Sequence, residues 1–449
     1  MRSRSREVFL VTNRKEGASR AILENVKKYA VTYLFIALSV CFIVVSGLDM
    51  SFVSSQLLLR LNRNAFIVLA LIIPIVAGMG INFAITIGAM AAQIGLLLVI
   101  NWNIGGFGGI MLAAAITLPL AAGFGFLIGK LLNRMKGQET IGSLILGYFA
   151  NGVYQLLFLF IFGNVIPMSE SVTIVGSHGI KNTLNLTGSI NLYKAIDGLV
   201  QVPFLTAVYV LAGVGLALCA VLLIFKKVTA KKAALYAALC AALIVVFLLP
   251  GVRAVFNGEK GLKPTTVPLI TWVFILLLCV FNAFIMKTRL GQKFRAVGQN
   301  RTVANAAGIN VDRTRVIAIM ISTVLAGWGQ ILFMQSEGIG VFQTYSAHEQ
   351  VGLYAGAAIL VGGASIDRAT NAQALIGTFL FHSLFITAQN AASNLFGDSV
   401  VGEYFRAFLS YGVIALALVI YAWRNAQQKK SGSELSIKGD RQRKAARAR

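Results

Sequence analysis

A chain of 449 residues that is 57% hydrophobic and 12% charged, with a mean hydropathy of +0.77, carries more apolar surface than a water-soluble core can hide, and a bilayer is the solvent that accepts it. The formal net charge of +24 would suit a nucleic-acid binder, but the basic residues fall between apolar runs, as membrane insertion requires, so membrane lipid is the implied partner and nucleic acid is excluded. The four cysteines, Cys41, Cys219, Cys240 and Cys279, lie inside apolar runs, outside any CxxC and away from histidine, which excludes a disulfide framework and a zinc site.

Residues 1–28 are polar and basic. The first apolar run starts too far from Met1 for a cleavable signal, so this stretch reads as a cytoplasmic leader. Ala21, Ile22, Asn25, Val26 and Tyr29 share helical spacing, which fits a helix on the membrane face as well as it fits a plain basic leader. Apolar segments follow near 29–48, 64–82, 83–100, 107–129, 140–163, 203–225, 233–250, 268–286, 316–335, 350–366, 372–392 and 403–423. Each is near the roughly 20 residues that a helical span needs. The fold class is therefore all-α, a polytopic transmembrane helical bundle of about 10–12 spans over 29–423, followed by a basic tail at 424–449. With the N-terminus inside and the spans alternating, 32 of the 40 lysines and arginines face the cytoplasm. That bias places both termini on the cytoplasmic side. Trp102, Phe107 and Tyr354 fall near span ends and read as interfacial anchors.

Two segments stand out. Within 64–100 two spans meet without a loop, interrupted by Pro74, Gly78, Gly80 and Asn82. Proline removes a backbone donor, so the junction reads as a broken helix beside a translocation path or as a tight turn. The longest outward loop, 164–202, carries Asn164, Pro167, Gly176, His178, Gly179, Asn185 and Gly188. It suits a partner-receiving surface or a passive cap, with an amphipathic piece near 190–199.

The most informative stretch is 287–330. It is the largest internal basic loop, with small residues at Ala304, Ala306 and Ala307 and a helix stop at Gly308. Gly291 and Gly298 punctuate a short helix across the membrane face, a device for passing a push from a soluble partner to the spans on either side. The pattern G-x-x-x-R-A-V-G-x-N-x-x-x-A-x-x-A-G-I-x-V resembles the cytoplasmic coupling loop of permeases of sugar, nucleoside and branched-chain amino acid ABC importers. The resemblance implies a docking element of Gly291, Arg295, Ala296, Gly298, Asn300, Ala304, Ala307, Gly308 and Ile309. In the next span Ser322, Thr323, Leu325, Ala326 and Gly327 follow the family's S-G-x-L-A-G, with threonine replacing glycine. Residues 353–366, 78–95 and 134–148 are similar to other family stretches, although Asp367 and Arg368 stand where a glycine pair is usual. The likeness covers roughly 64–163 and 268–423 and leaves the 203–250 hairpin as an addition to a core of about ten spans.

The resemblance implies three protein partners: an ABC ATPase subunit, a second permease copy or paralogue, and an extracytoplasmic solute-binding protein. ATP and Mg would sit on the ATPase, because Gly129-Lys130 is followed by Leu131 and no P-loop is present. No cofactor or metal is assigned to this chain, and no nucleophile elbow or HExxH marks it as an enzyme. Polar residues inside apolar runs are costly in lipid and become path candidates: Asn82, Gln93, Asn151, Gln155, Asn282, Gln389 and Asn390. Interhelical hydrogen bonding is the other use for each of them. Amides both donate and accept, which suits a neutral hydroxylated solute, a sugar before a nucleoside. The rival, an ion-coupled secondary transporter, would want membrane carboxylates and an internal repeat, and neither is seen.

Overall fold

A computed structural model describes residues 30–135, 137–161, 165, 173–175, 181–187, 191–224, 230–257, 265–336, 342–344, 346–365 and 368–413, with 415, 416 and 419. The basic leader, its amphipathic spacing and the basic tail lie outside the described residues, as do Asn164, Pro167, Gly176, His178, Gly179 and Gly188. Each of the twelve apolar segments contains a helix. In chain order these are α1 (Ala30–Ser46), α2 (Met50–Ala70) with a short α3 (Ile72–Val76), α4 (Ile85–Asn101), α5 (Gly106–Arg134), α6 (Glu139–Ile161), α7 (Phe204–Ile224) and α8 (Ala230–Leu248) with α9 (Pro250–Asn257). After α10 (Leu269–Ile285) come the short α11 (Arg289–Gln299) and α12 (Arg301–Ala306), then α13 (Val311–Met334), α14 (Val351–Val361), α15 (Asn371–Phe396) and α16 (399–413). Among the described residues five helical stretches are long and apolar enough to cross a membrane, and two bent pairs, at 73° and 75°, raise this to seven. α1, α4 and α14 are apolar but shorter.

One boundary differs in a way that matters. The second span begins at Met50, not near 64. Ser54, Ser55, Gln56, Arg60, Asn62, Arg63 and Asn64 dilute its hydropathy, yet the helix runs through them and buries its Asn62 side. Arg60 and Arg63, which precede the apolar segment at 64–82, therefore stand half-buried on this helix.

α13 forms the central post. It packs most closely against α5 and α4, and then against α2. Glycine makes these crossings possible. A Cβ on Gly88 would lie 2.2 Å from the Thr323 carbonyl oxygen, and one on Gly125 2.8 Å from Met320 Cα. Apolar helices in lipid gain little from excluding water from each other, so close backbone approach supplies the attraction. Thr323, the departure from the family pattern, turns its hydroxyl back to Ile319 O at 2.8 Å and faces these two glycines.

The junction between α3 and α4 is neither a span nor an ordinary surface turn. Residues 77–84 are almost wholly buried. Gly78 and Gly80 adopt φ of +72° and +71°, conformations that glycine takes without steric penalty. The Ser143 hydroxyl reaches the freed backbone, accepting from Phe83 N at 3.0 Å and offering its one proton to Ile81 O at 3.2 Å or Thr140 O at 2.8 Å. Asn82 Oδ1 accepts from Ala84 N at 3.1 Å in the turn just before α4.

At the far end of α13, a three-stranded sheet of β1 (Thr173–Val175), β2 (Lys181–Asn185) and β5 (Phe342–Thr344) runs in that order, antiparallel. The expected amphipathic piece near 190–199 is a run of turns. Gln335 holds it: its carboxamide oxygen accepts from Ile196 N and Asp197 N at 3.1 and 3.0 Å, while its Nε2 donates to Asp197 Oδ1 at 2.8 Å. β3 (Gln201–Pro203) and β4 (Thr266–Pro268) pair across the base of the α7–α8 hairpin, which packs chiefly on itself and α9.

Gly123 and Gly125 sit two residues apart on α5, but a Cβ on Gly123 meets nothing within 4 Å. Gly125→Ala is expected to cost about 1–3 kcal/mol by overpacking, whereas Gly123→Ala leaves stability unchanged or raised. Thermal unfolding of the detergent-solubilised protein separates the two.

Candidate functional site

The loop between α10 and α13 is built by three successive N-caps. Thr288 Oγ1 accepts from Gly291 N at 3.3 Å, Asn300 Oδ1 from Val303 N at 3.1 Å, and Asn310 Oδ1 from Arg313 N at 2.9 Å. Each cap restarts a helix, so the chain makes two short helices where one was expected. Gly308, at φ +78°, ends α12, and Ile309 N reaches back to Ala304 O at 3.0 Å, a left-handed C-terminal stop.

Gly291 and Gly298 do not punctuate this element. They are its contact points: a Cβ on Gly291 would lie 2.1 Å from Ile285 O, and one on Gly298 2.1 Å from Val76 O. Gly291 and Ala304 are buried, Ala296, Gly298 and Ile309 are half-buried, and Arg295, Asn300, Ala307 and Gly308 are exposed. With Thr302, Val303, Asn305 and Ala306, the exposed members form an outward face on α12 and its C-terminal turn.

Beneath that face lies an ion network. Glu139, the first residue of α6, accepts from Arg315 of α13 at 2.6 Å and pairs with Arg301 of α12 at 2.8 Å. Arg315 is 1% exposed and Glu139 7%. Arg301 also donates to Gly78 O at 2.9 Å, and Arg315 Nε meets Met79 Sδ. One carboxylate thus joins α6, α12 and α13, and the two guanidiniums join them to the α3–α4 connector. A groove of about 750 Å³ runs alongside, lined by Arg301, Thr302, Asn305, Gly308, Asp312 and Arg315.

A second polar cluster lies between α4, α6 and the turn before α14. His348, fully buried, places Nδ1 2.5 Å from Gln93 Oε1 and Nε2 2.7 Å from Asn151 Oδ1. Which partner donates in each contact follows the ring tautomer and the orientation of the two amides. Tyr154 stands edge-on to the ring at 4.7 Å, and Gln155 donates to Glu349. Asn151, Glu349, Thr86 and Tyr148 line a narrow cleft here. Three of the seven amides expected along a path therefore converge.

The other four do not join them. Asn82 serves the connector. Asn282 is buried and bridges helices, donating to Leu69 O at 3.2 Å and to Asn371 Oδ1 at 3.4 Å. Gln389 and Asn390 lie half-buried near the end of α15. Tyr354 is half-buried and packs on Phe381 and Phe385, at 5.6 and 5.4 Å between ring centroids. Trp102 and Phe107 are exposed.

Residues 22–422 match the family described as branched-chain amino acid transport system / permease component. The chain belongs to this permease family. It is therefore a multi-pass membrane transport protein and not an enzyme. Among its relatives, the ribose import permease RbsC of Escherichia coli K12 is 28% identical over 204 residues, 41% of this chain and 60% of that protein. The nucleoside ABC transporter permease NupB of Lactococcus lactis is 29% identical over 134 residues, 29% of this chain and 33% of the relative. The autoinducer 2 import permease LsrC of Klebsiella pneumoniae is 32% identical over 125 residues, 28% and 35% of the two chains. The alignments thus span a third to three-fifths of these permeases. No solved structure matches the chain.

Reading polar residues within apolar runs did not find several residues of this permease's clusters. His348 and Glu349 lie in a polar stretch before a span, where burial in lipid gives no cue. Glu139 and Arg315 stand at span starts, where charge looks ordinary. Their signal was the paucity of acid: 16 acidic residues against 40 basic make an acid at a span end a candidate partner. Glu139→Gln should cost about 3–5 kcal/mol, because it strands a buried guanidinium. A double-mutant cycle with Arg315→Met, read by thermal unfolding, should recover much of that loss.

Proposed function

We propose that this chain is the membrane-spanning subunit of an ATP-driven ABC importer of the bacterial inner membrane, forming the path for a small hydrophilic solute. The observation that carries the reading is the Glu139–Arg301–Arg315 network beneath the exposed face of α12. Through it, a soluble subunit seated on Thr302, Val303, Asn305, Ala306 and Ala307 presses at once on α6, α13 and the α3–α4 connector. ATP and Mg belong to that ATPase subunit. Both termini and the α11–α12 end face the cytoplasm, in keeping with the distribution of lysine and arginine. A second permease copy or paralogue and an external solute-binding protein complete the assembly.

The solute path passes the cleft at His348. Gln93 and Asn151 stand on α4 and α6, whose starts adjoin the ion network, so a shift at α12 reaches the groups that contact solute. Convergent amides with a histidine suit a hydroxylated ligand. A sugar is the first choice, in line with the ribose permease among the relatives. A nucleoside is the second, in line with NupB.

Co-purification tests the docking half. Ala306→Glu, on an exposed position, should lose the ATPase subunit while the permease stays folded. If the unaltered chain purifies alone and moves solute into vesicles without ATP, the importer reading is wrong and a secondary transporter replaces it. For the path, His348→Ala should retain the ATPase yet lower uptake about tenfold or more, the worth of one or two buried hydrogen bonds. Unchanged uptake would remove His348 from the path.

A further inference from the structure

The end of the bundle that carries α12 also holds a groove of about 840 Å³ between α5 and α13. Glycine brings the two helices close there: a Cβ on Gly129 would lie 2.9 Å from Val316 Cα, and one on Gly125 2.8 Å from Met320 Cα. Asn133 ties the helix ends together, its Nδ2 donating to Asp312 O at 2.9 Å. The groove beside α12 is a different one, sharing Asn310 and Asp312 with it.

The two ends of this groove differ in chemistry. At its mouth Lys130 and Arg134 of α5 and Arg313 of α13, all exposed, face one carboxylate, Asp312. None of the three cations makes an ion pair among the described residues. Asp312 stands in the first turn of α13 and Arg134 in the last turn of α5, where the helix dipoles already favour their charges. Lys130 and Arg313 have no such compensation, and the positive end of α13 disfavours Arg313. Lys130 Nζ lies 4.4 Å from the centroid of the Phe126 ring, one turn farther along α5. Beyond it the walls are apolar, made by Phe126, Ile317 and Met320. At 1.5 Å per residue, Arg134 to Phe126 spans about 12 Å and Arg313 to Met320 about 10 Å.

A cationic mouth over an apolar trough matches a phospholipid, with its phosphate at the helix ends and a chain along the walls. A soluble anion would leave the apolar walls unused. A water-soluble subunit would not follow the helices into hydrocarbon. Basic pockets between spans favour anionic headgroups, and three cations against one carboxylate favour them over zwitterionic ones, which bring an ammonium of their own. We propose that Lys130, Arg134 and Arg313 bind the headgroup phosphate of an anionic phospholipid whose acyl chain lies along Phe126, Ile317 and Met320. Such a lipid bridges α5 and α13 two residues from Arg315 of the ion network.

The test uses the full-length chain in detergent micelles, without ATPase, so its outcome does not depend on the importer reading. Thermal unfolding is followed during titration with phosphatidylglycerol, with phosphatidylcholine of the same chains and with glycerol 3-phosphate, an anion without chains. Phosphatidylglycerol should stabilise the protein at about tenfold lower concentration than phosphatidylcholine, and glycerol 3-phosphate should not stabilise it. The double variant Lys130→Gln, Arg313→Gln should abolish that tenfold preference, the worth of one charge-assisted contact. Its unfolding temperature without lipid should stay near that of the unaltered chain, since neither side chain makes a hydrogen bond or ion pair among the described residues. Lys130→Arg with Arg313→Lys keeps both charges and should keep the preference, which separates loss of the site from loss of the fold. Equal stabilisation by the two lipids would reduce the groove to part of an unselective lipid shell. A preference that survives the glutamine variant places the recognition on other cations. Protection by glycerol 3-phosphate equal to that by phosphatidylglycerol makes the site one for soluble anions. Each of these three results overturns the proposal.

Discussion

A single carboxylate organises one end of this permease. Glu139 is shared by two arginines from different elements, and each arginine makes a further contact with the α3–α4 connector. Replacing such a network by apolar residues of equal volume is often neutral for stability, so its presence calls for another account. What an apolar contact would not provide is directionality. Charge-assisted bonds fix the register of α12 against α6 and α13, which is what the proposed coupling role of α12 requires.

The rest of the fold follows from how helices attract one another in lipid. Close backbone approach at Gly88, Gly125 and Gly298 does the work that water exclusion does in a soluble core. The same logic accounts for the connector at 77–84. Irregular backbone inside an apolar bundle is tolerated only where protein satisfies it, and Ser143 reaches that backbone. The break is held by bonds to Ser143, Asn82 and Arg301 rather than left to flexibility.

Much of this was legible in the residues. Each apolar run contains a helix, while the short α9, α11 and α12 lie beyond those runs; Gly308 marked a stop, and the basic loop marked the most elaborate inter-helix element. Of the seven amides noted in apolar runs, Gln93, Asn151 and Gln155 meet in one cluster, a grouping the sequence did not distinguish from the other four. The rest was hidden for physical reasons. Helix α2 starts early because helix geometry tolerates polar residues that face other helices, while a hydropathy window averages them away. Asn300 divides α11 from α12 because its side chain accepts from Val303 N, a choice that composition alone cannot announce. His348 owes its place to tertiary packing, since the turn that carries it is brought against α4 and α6 by pairings far apart in sequence.

The β3–β4 pair closes the neck of the α7–α8–α9 excursion. Gln201 faces Pro268 and Pro203 faces Thr266, so the two ends of the α7–α8–α9 excursion are already neighbours. The cost of closing a segment on itself rises only slowly with its length, and a paired neck fixes where the chain leaves and re-enters the bundle. Since the excursion packs chiefly on itself, a change of length within it reaches the rest of the bundle mainly through that neck.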